Sequence, residues 1–172
     1  AIASQMAIKG ADVYIIDEST PSAISLKSEI AKTYPNVSSL KEDEPLLAME
    51  PIDVAISKAQ YLFFTPRIRK TGQDIKTEIH SKFKDAVTSL KKNSSVIFTL
   101  PTGFGGNNEN ISLLEHVTVL QAGKNISYFY YPLEDLNQQP KIIGSFNGKE
   151  DLVLSDLLTK NEDQREGRKL QR

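Results

Sequence analysis

Short apolar runs recur along this chain: VYII at 13–16, YLFF at 61–64, SVIFTL at 95–100 and ISYFYY at 126–131, with helix-patterned stretches between them. Runs rich in Val, Ile, Phe and Tyr, with little polar alternation, suit strands buried on both faces. Such strands pair in parallel, and a parallel pair needs a crossover, usually a helix, to carry the chain back. The pattern predicts an α/β domain with a doubly wound, mostly parallel sheet.

The stretches between the runs fill in the rest. Residues 1–9 have helical spacing, with Ile2 and Met6 one turn apart and Gly10 as a stop. Thr20-Pro21 reads as an N-cap followed by a first-turn proline, opening a helix that stops near Thr33, ahead of Pro35. A short strand at 37–40, a polar connection over 41–51 and a short helix over 53–59 come next. Asp74 is the expected N-cap of a long helix whose Ile75, Ile79, Phe83, Val87 and Leu90 make one apolar stripe. A Gly- and Asn-rich loop over 101–108 leads into a helix over 111–120. A further strand is expected over 141–146 and an amphipathic helix over 151–158. The last residues are charged and nearly free of apolar side chains, so the domain is expected over 1–159 and a flexible tail over 160–172.

Composition excludes several function classes. The formal net charge is −1 with mixed signs along most of the chain, which gives no basic stripe for nucleic acid. No apolar run approaches the roughly 20 residues of a membrane span, and no signal peptide is visible, so a cytoplasmic protein is expected. Cysteine is absent, which excludes disulfides, thiolate metal sites and cysteine nucleophiles. The two histidines, His80 and His116, lack the spacing of a metal pair and read as surface residues.

The opening segment carries the most chemistry. Residues 1–17 read as a helix, a glycine stop and a short strand closed by Asp17. That is the second half of a dinucleotide-binding βαβ unit, in which the acid ending the second strand takes the adenosine ribose hydroxyls. The first strand and the Gly-rich turn of such a unit are missing from the chain, which is expected to begin inside the helix. A plain strand-end turn acid is the other reading of Asp17.

Five segments in order, AIASQMAIKGADVYIID, AQYLFFTPRI, GQDIKTEI, SSVIFTLPTGFGG and YYPLEDLNQQPKIIGSF, resemble the NAD-binding domain of the UDP-glucose/GDP-mannose dehydrogenase family. The resemblance implies a Rossmann-like fold, NAD as cofactor and a nucleotide-sugar substrate oxidised at a C6 alcohol. It implies that Asp17 binds ribose, that Thr65 and Pro66 lie along the cofactor, and that Thr99 approaches its nicotinamide side. Pro101 and Gly103 then match the turn into the next helix, extended by Gly105 and Gly106. Glu134, with Asp135, follows a strand end and could meet a sugar hydroxyl, or be a turn acid.

The chain also departs from that family. Ile97 stands where the family has Glu, and Leu133 where it has the catalytic Glu after Asn-Pro. The family's cysteine nucleophile sits in a second domain, and this chain has no cysteine, so the chain alone is not expected to run that oxidation. Two functions therefore stay open: part of an NAD-dependent oxidoreductase, or a non-catalytic nucleotide-binding or assembly module, with a homo-oligomer compatible with both. The loop PTGFGGNN is not a Walker motif and reads as a connection, with anion binding at its helix start as the alternative. The tyrosines at 128, 130 and 131 read as strand packing.

Overall fold

The computed structural model describes residues 2, 5–6, 9–14, 47–48, 52–133 and 143–159. In chain order the elements are β1 (Val13–Tyr14), β2 (Leu47–Ala48), α1 (Ile52–Lys58), β3 (Tyr61–Phe64), α2 (Asp74–Val87), β4 (Ser95–Phe98), α3 (Gly106–Thr118), β5 (Ser127–Tyr130), β6 (Gly144–Ser145), a 3-10 turn (Phe146–Gly148) and α4 (Leu152–Leu158). They fall into two compact units, Ala1–Glu50 with Asp151–Arg172, and Pro51–Glu150.

In the first unit, residues 2, 5 and 6 are helical and the chain turns at Gly10, whose φ is +89°. The N–H of Ala11 returns to the carbonyl of Met6 at 3.1 Å, so Gly10 acts as the stop its sequence position suggests. β1 then pairs in parallel with β2, Val13 opposite Leu47 and Tyr14 opposite Ala48. This strand falls within the stretch expected to be a polar connection. Two residues are too few to carry a periodic signal, and the strand is defined by its non-local pairing. The helix expected to end near Thr33 and the strand expected at 37–40 lie outside the described residues. At the far end of the chain, the Asp151 side chain accepts the N–H of Leu154 at 2.9 Å and caps α4. Met6 and Leu154 are buried, and the Gln5 amide donates to the carbonyl of Leu157 at 3.1 Å.

The second unit holds a four-stranded sheet in the order β3-β4-β5-β6. The first three strands are parallel and β6 runs antiparallel to β5 as the edge. The architecture is the mostly parallel α/β sheet that the sequence predicts. Successive side chains of a strand point to opposite faces. Leu62, Phe64, Val96, Phe98, Tyr128 and Tyr130 face the main core with residues of α2 and α3. Ile97 and Phe129 alternate with them and are buried too, as a sheet covered on both faces requires.

At the centre, Phe64 of β3, Phe98 of β4 and Phe83 of α2 contact one another. Their ring centroids lie 5.1, 5.4 and 5.5 Å apart, with Phe83 edge-on to the other two. Such pairs add roughly 0.5–1.5 kcal/mol each beyond the area they bury. Val87 and Leu90 continue the stripe into the core, as expected, and Ile79 packs against it.

Three local expectations need correction. Asp74 is the first residue of α2 and not its N-cap, which is Gln73, in a helical conformation with no capping side chain. The Asp74 charge still sits where the helix dipole favours an anion. Ile75 is exposed, so the stripe enters the core only from Ile79 onward. Finally, α3 begins at Gly106, so the loop is shorter than expected. Asn107 and Asn110 are poor helix formers, and their side chains are instead held by a tyrosine of β5, a tertiary contact that overrides propensity.

The C-terminal cap of α3 is Val119 in the left-handed region, φ 58° and ψ 21°, with its side chain exposed. A β-branched residue is disfavoured there. Val119→Asn is expected to raise stability by about 1 kcal/mol, read as a higher urea midpoint at unchanged slope. Phe98→Ala should cost about 3–5 kcal/mol in the same measurement, because it empties the centre of the aromatic cluster.

Candidate functional site

The three parallel strands end level. Phe64 lies opposite Phe98 and Phe98 opposite Tyr130, each the last residue of its strand. The segments that follow, beginning at Thr65, Thr99 and Tyr131, therefore leave the sheet along one carboxyl-end rim. Open α/β sheets bind ligands in the crevice outside the carboxyl ends of their strands.

Hydrogen bonds fix this rim. The buried Thr99 hydroxyl donates to the carbonyl of Phe64 at 2.6 Å, tying the end of β4 to the end of β3. The N–H of Tyr131 donates to the carbonyl of Phe98 and that of Leu133 to the carbonyl of Thr99, each at 2.9 Å. Thr65 and Pro101 are exposed, and Pro66 is half-buried. Four residues expected from the sequence to meet a cofactor, Thr65, Pro66, Thr99 and Pro101, are thus brought to the ends of two adjacent strands. The Thr99 hydroxyl is already engaged, so what this residue offers toward the crevice is backbone. Asp17 and Glu134 lie outside the described residues.

Behind the segment after β3, the Glu78 carboxylate of α2 accepts the N–H groups of Arg69 and Lys70, at 3.0 and 2.7 Å. Lys82, one turn along α2, lies 3.2 Å from the same carboxylate and donates to the carbonyl of Arg67. The backbone N–H of Lys70 is the main influence holding the Glu78 carboxyl below its ordinary value, with Arg69 and Lys82 adding and partial desolvation opposing.

The segment after β4 is held by β5. The Tyr130 hydroxyl accepts the N–H of Thr102 at 3.1 Å. The Tyr128 hydroxyl donates to the Asn107 Oδ1 at 2.7 Å and accepts from the Asn110 amide at 3.2 Å. Burial pushes the Tyr128 phenol well above its ordinary value, so it stays a neutral donor. Burial also raises Tyr131. Between these anchors the loop closes tightly. Gly105 has a φ of +76°, and a Cβ on Gly106 would come within 2.7 Å of the Thr102 Cβ, so both positions call for glycine. The N–H of Gly106 bonds the carbonyl of Gly103 at 3.0 Å. Phe104, at the loop tip, is fully exposed.

The sequence reads the tyrosines as strand packing in preference to a base-stacking platform. The rings of Tyr128 and Tyr130 do pack, and their hydroxyls do a second job. The signal was present: tyrosine rather than phenylalanine at alternate positions of a buried strand implies hydroxyls that need partners. On α2 and α3, Lys76 pairs with Glu109 at 2.7 Å, and His80 Nε2 lies 3.8 Å from the same carboxylate. The Lys76 hydrogen bond is the main cause holding Glu109 below its ordinary value. Among the described residues no group of three His, Asp or Glu side chains could hold a metal ion, and no helix is long and apolar enough to cross a membrane.

Three solved structures share this fold. UDP-D-ManNAc dehydrogenase from Pyrococcus horikoshii superposes with a TM-score of 0.69 at 18% identity, over 91% of this chain and 40% of that one. GDP-mannose dehydrogenase from Pseudomonas aeruginosa, solved as a ternary complex, gives 0.61 at 15% identity, over 91% and 39%. NDP-N-acetyl-D-galactosaminuronic acid dehydrogenase from Methanosarcina mazei Go1 gives 0.63 at 13% identity, over 91% and 38%. The chain has the fold of part of these nucleotide-sugar dehydrogenases and spans about two fifths of their length. No family model matches the sequence, and no curated protein matches it.

The Glu78 clamp gives a pH test with a defined sign. A carboxylate whose folded value lies below its unfolded 4.5 adds stability above 4.5, and that stability is lost as pH falls through the folded value. Glu78→Gln should be less stable than the parent in urea at neutral pH, and the gap should close well below pH 4.5.

Proposed function

We propose that this chain is part of the NAD-binding portion of a nucleotide-sugar dehydrogenase-like oxidoreductase. One observation carries the proposal: three parallel strands end level, with Thr65, Pro66, Thr99 and Pro101 gathered at their carboxyl ends, in a fold shared with three dehydrogenases that act on nucleotide sugars. Topology adds support. In the strand order 3-2-1-4-5-6 of dinucleotide-binding sheets, strands 2 and 3 are neighbours, as are 4, 5 and 6. The parallel pair β1-β2 and the parallel run β3-β4-β5 match those two groups.

When bound, NAD supplies the hydride acceptor for a sugar C6 alcohol, and the protein supplies position and electrostatics. The residues present fit the cofactor in part. Thr65 and Pro101 are exposed at the rim, and the Thr99 hydroxyl satisfies the Phe64 carbonyl, which fixes the spacing of the two strand ends. The Asp17 carboxylate accepts the adenosine ribose hydroxyls and disfavours a 2′-phosphate, so NAD is preferred over NADP. Glu134 is assigned to a sugar hydroxyl. Residues 1–159 are taken as one dinucleotide-binding domain followed by a charged tail, in a cytoplasmic protein.

A second reading rests on two residues. Ile97 is fully buried in β4 and Leu133 is half-buried beside Thr99, where the resembling family carries glutamates. Apolar, packed side chains at those places favour a nucleotide-binding or assembly module without hydride transfer.

Calorimetric titration of NAD into the protein carrying this chain should give saturable binding, and Asp17→Ala should weaken it at least about tenfold, the loss of one charge-assisted contact. Absence of NAD binding would remove the cofactor assignment under either reading and leave only an assembly module. Binding without NADH formation from any UDP- or GDP-sugar would favour the module.

A further inference from the structure

The turn that follows β6 carries an asparagine with a reactive neighbour. Asn147 is the chain's one asparagine followed by glycine. It sits inside the 3-10 turn Phe146–Gly148 but leaves the helical region, with φ 62° and ψ 18°. Gly148 also has a positive φ, 63°, and both residues are exposed. Glycine has no Cβ, so nothing shields its backbone nitrogen from the side-chain amide carbon before it. The turn hangs on β6, which pairs through two residues at the sheet edge. A single 3-10 turn has poor hydrogen-bond geometry, and such edges open locally at little cost.

The other described asparagines lack this combination. Asn93 shares the left-handed conformation, φ 68°, but Ser94 after it is buried and donates its N–H to the carbonyl of Lys91 at 3.3 Å. The Asn125 Oδ1 accepts the N–H of Gln121 at 2.6 Å, and buried, β-branched Ile126 follows it. Asn107, Asn108 and Asn110 lie within α3, where the helix fixes the backbone around them.

We propose that Asn147-Gly148 is a self-modification site, at which the folded chain converts an amide into an acid. The Gly148 nitrogen gives up its proton and attacks the Asn147 Cγ. A N–Cγ bond forms, the Cγ–Nδ2 bond breaks, and ammonia leaves with the proton. Water then opens the cyclic imide at either carbonyl. One opening yields aspartate at 147, and the other yields isoaspartate, with an extra methylene in the main chain. The surroundings make the change consequential. A Cβ on Gly123 would clash with the Asn147 amide, so that side chain rests on the turn leading into β5. The Lys149 ammonium donates to the Gly123 carbonyl at 2.8 Å, and Phe146 packs against the core. The new carboxylate therefore arises between two residues that hold the turn in place.

The test is incubation of the protein carrying this chain in mildly alkaline heavy-oxygen water, followed by peptide mapping. The peptide containing 147 should gain the mass of an acid bearing one heavy oxygen. Isoaspartate methyltransferase should label it, and the intact protein should bind an anion exchanger more tightly. Asn147→Gln, which cannot close the five-membered ring, should abolish all three signals while melting like the parent. A free peptide of the same sequence sets the reference, and the folded protein should convert within about tenfold of its rate, as a low-cost local opening requires. Conversion much slower than that, or equally fast at Asn93 and Asn125, overturns the proposal.

Discussion

Phe64, Phe83 and Phe98 meet ring to ring, and the position of the rim follows from that contact. Two of the rings are the last residues of adjacent parallel strands, and the third comes from the crossover helix between them. Seating Phe83 edge-on against both fixes α2 over the pair and holds the strand ends in register. The Thr99 hydroxyl then adds a direct bond from the end of β4 to Phe64. Apolar packing sets the level of the strands, and a short polar contact locks it. Glu78 and Lys82, carried on the same helix as Phe83, order the segment that leaves β3.

The neighbouring strand works differently. β5 offers Tyr128 and Tyr130 to the same face, and both rings are used as core while both hydroxyls reach the segment that leaves β4. A buried hydroxyl without partners would cost roughly 1–3 kcal/mol. Tyr128 avoids that cost with two asparagines in the first two turns of α3, and no described buried side-chain N or O atom lacks a partner. The result is specificity. Phenylalanine would fill the same space but leave the start of α3 and the glycine loop without a fixed place.

What the sequence makes legible follows from what is local. β3, β4 and β5 are visible as apolar runs because a strand buried on both faces needs nothing else. Phe83, Val87 and Leu90 are visible because helical spacing repeats over four turns. The start of α3 is not visible, because GNNEN is a poor helical sequence that becomes helical through Tyr128, a residue well downstream. β2 is hidden for a related reason, since a two-residue strand exists only through its partner. At the rim, Thr65, Pro66, Thr99 and Pro101 are singled out through the family resemblance, and the structure brings them to the ends of two adjacent strands. The Glu78 clamp is not, because a helical Glu beside a Lys one turn away looks like an ordinary surface pair until the backbone of 69 and 70 is seen to lie against it.

In the larger sheet, spatial order repeats chain order: β3, then β4, then β5, then β6. As they emerge during synthesis, β4 and β5 each find their neighbour already made, with α2 or α3 between to close the connection. No strand has to be inserted between two others, so no gap must be held open while distant residues are awaited. Growth of this sheet is an accretion at one margin. A polypeptide assembled in that way can begin to protect its apolar rings before its own translation is complete.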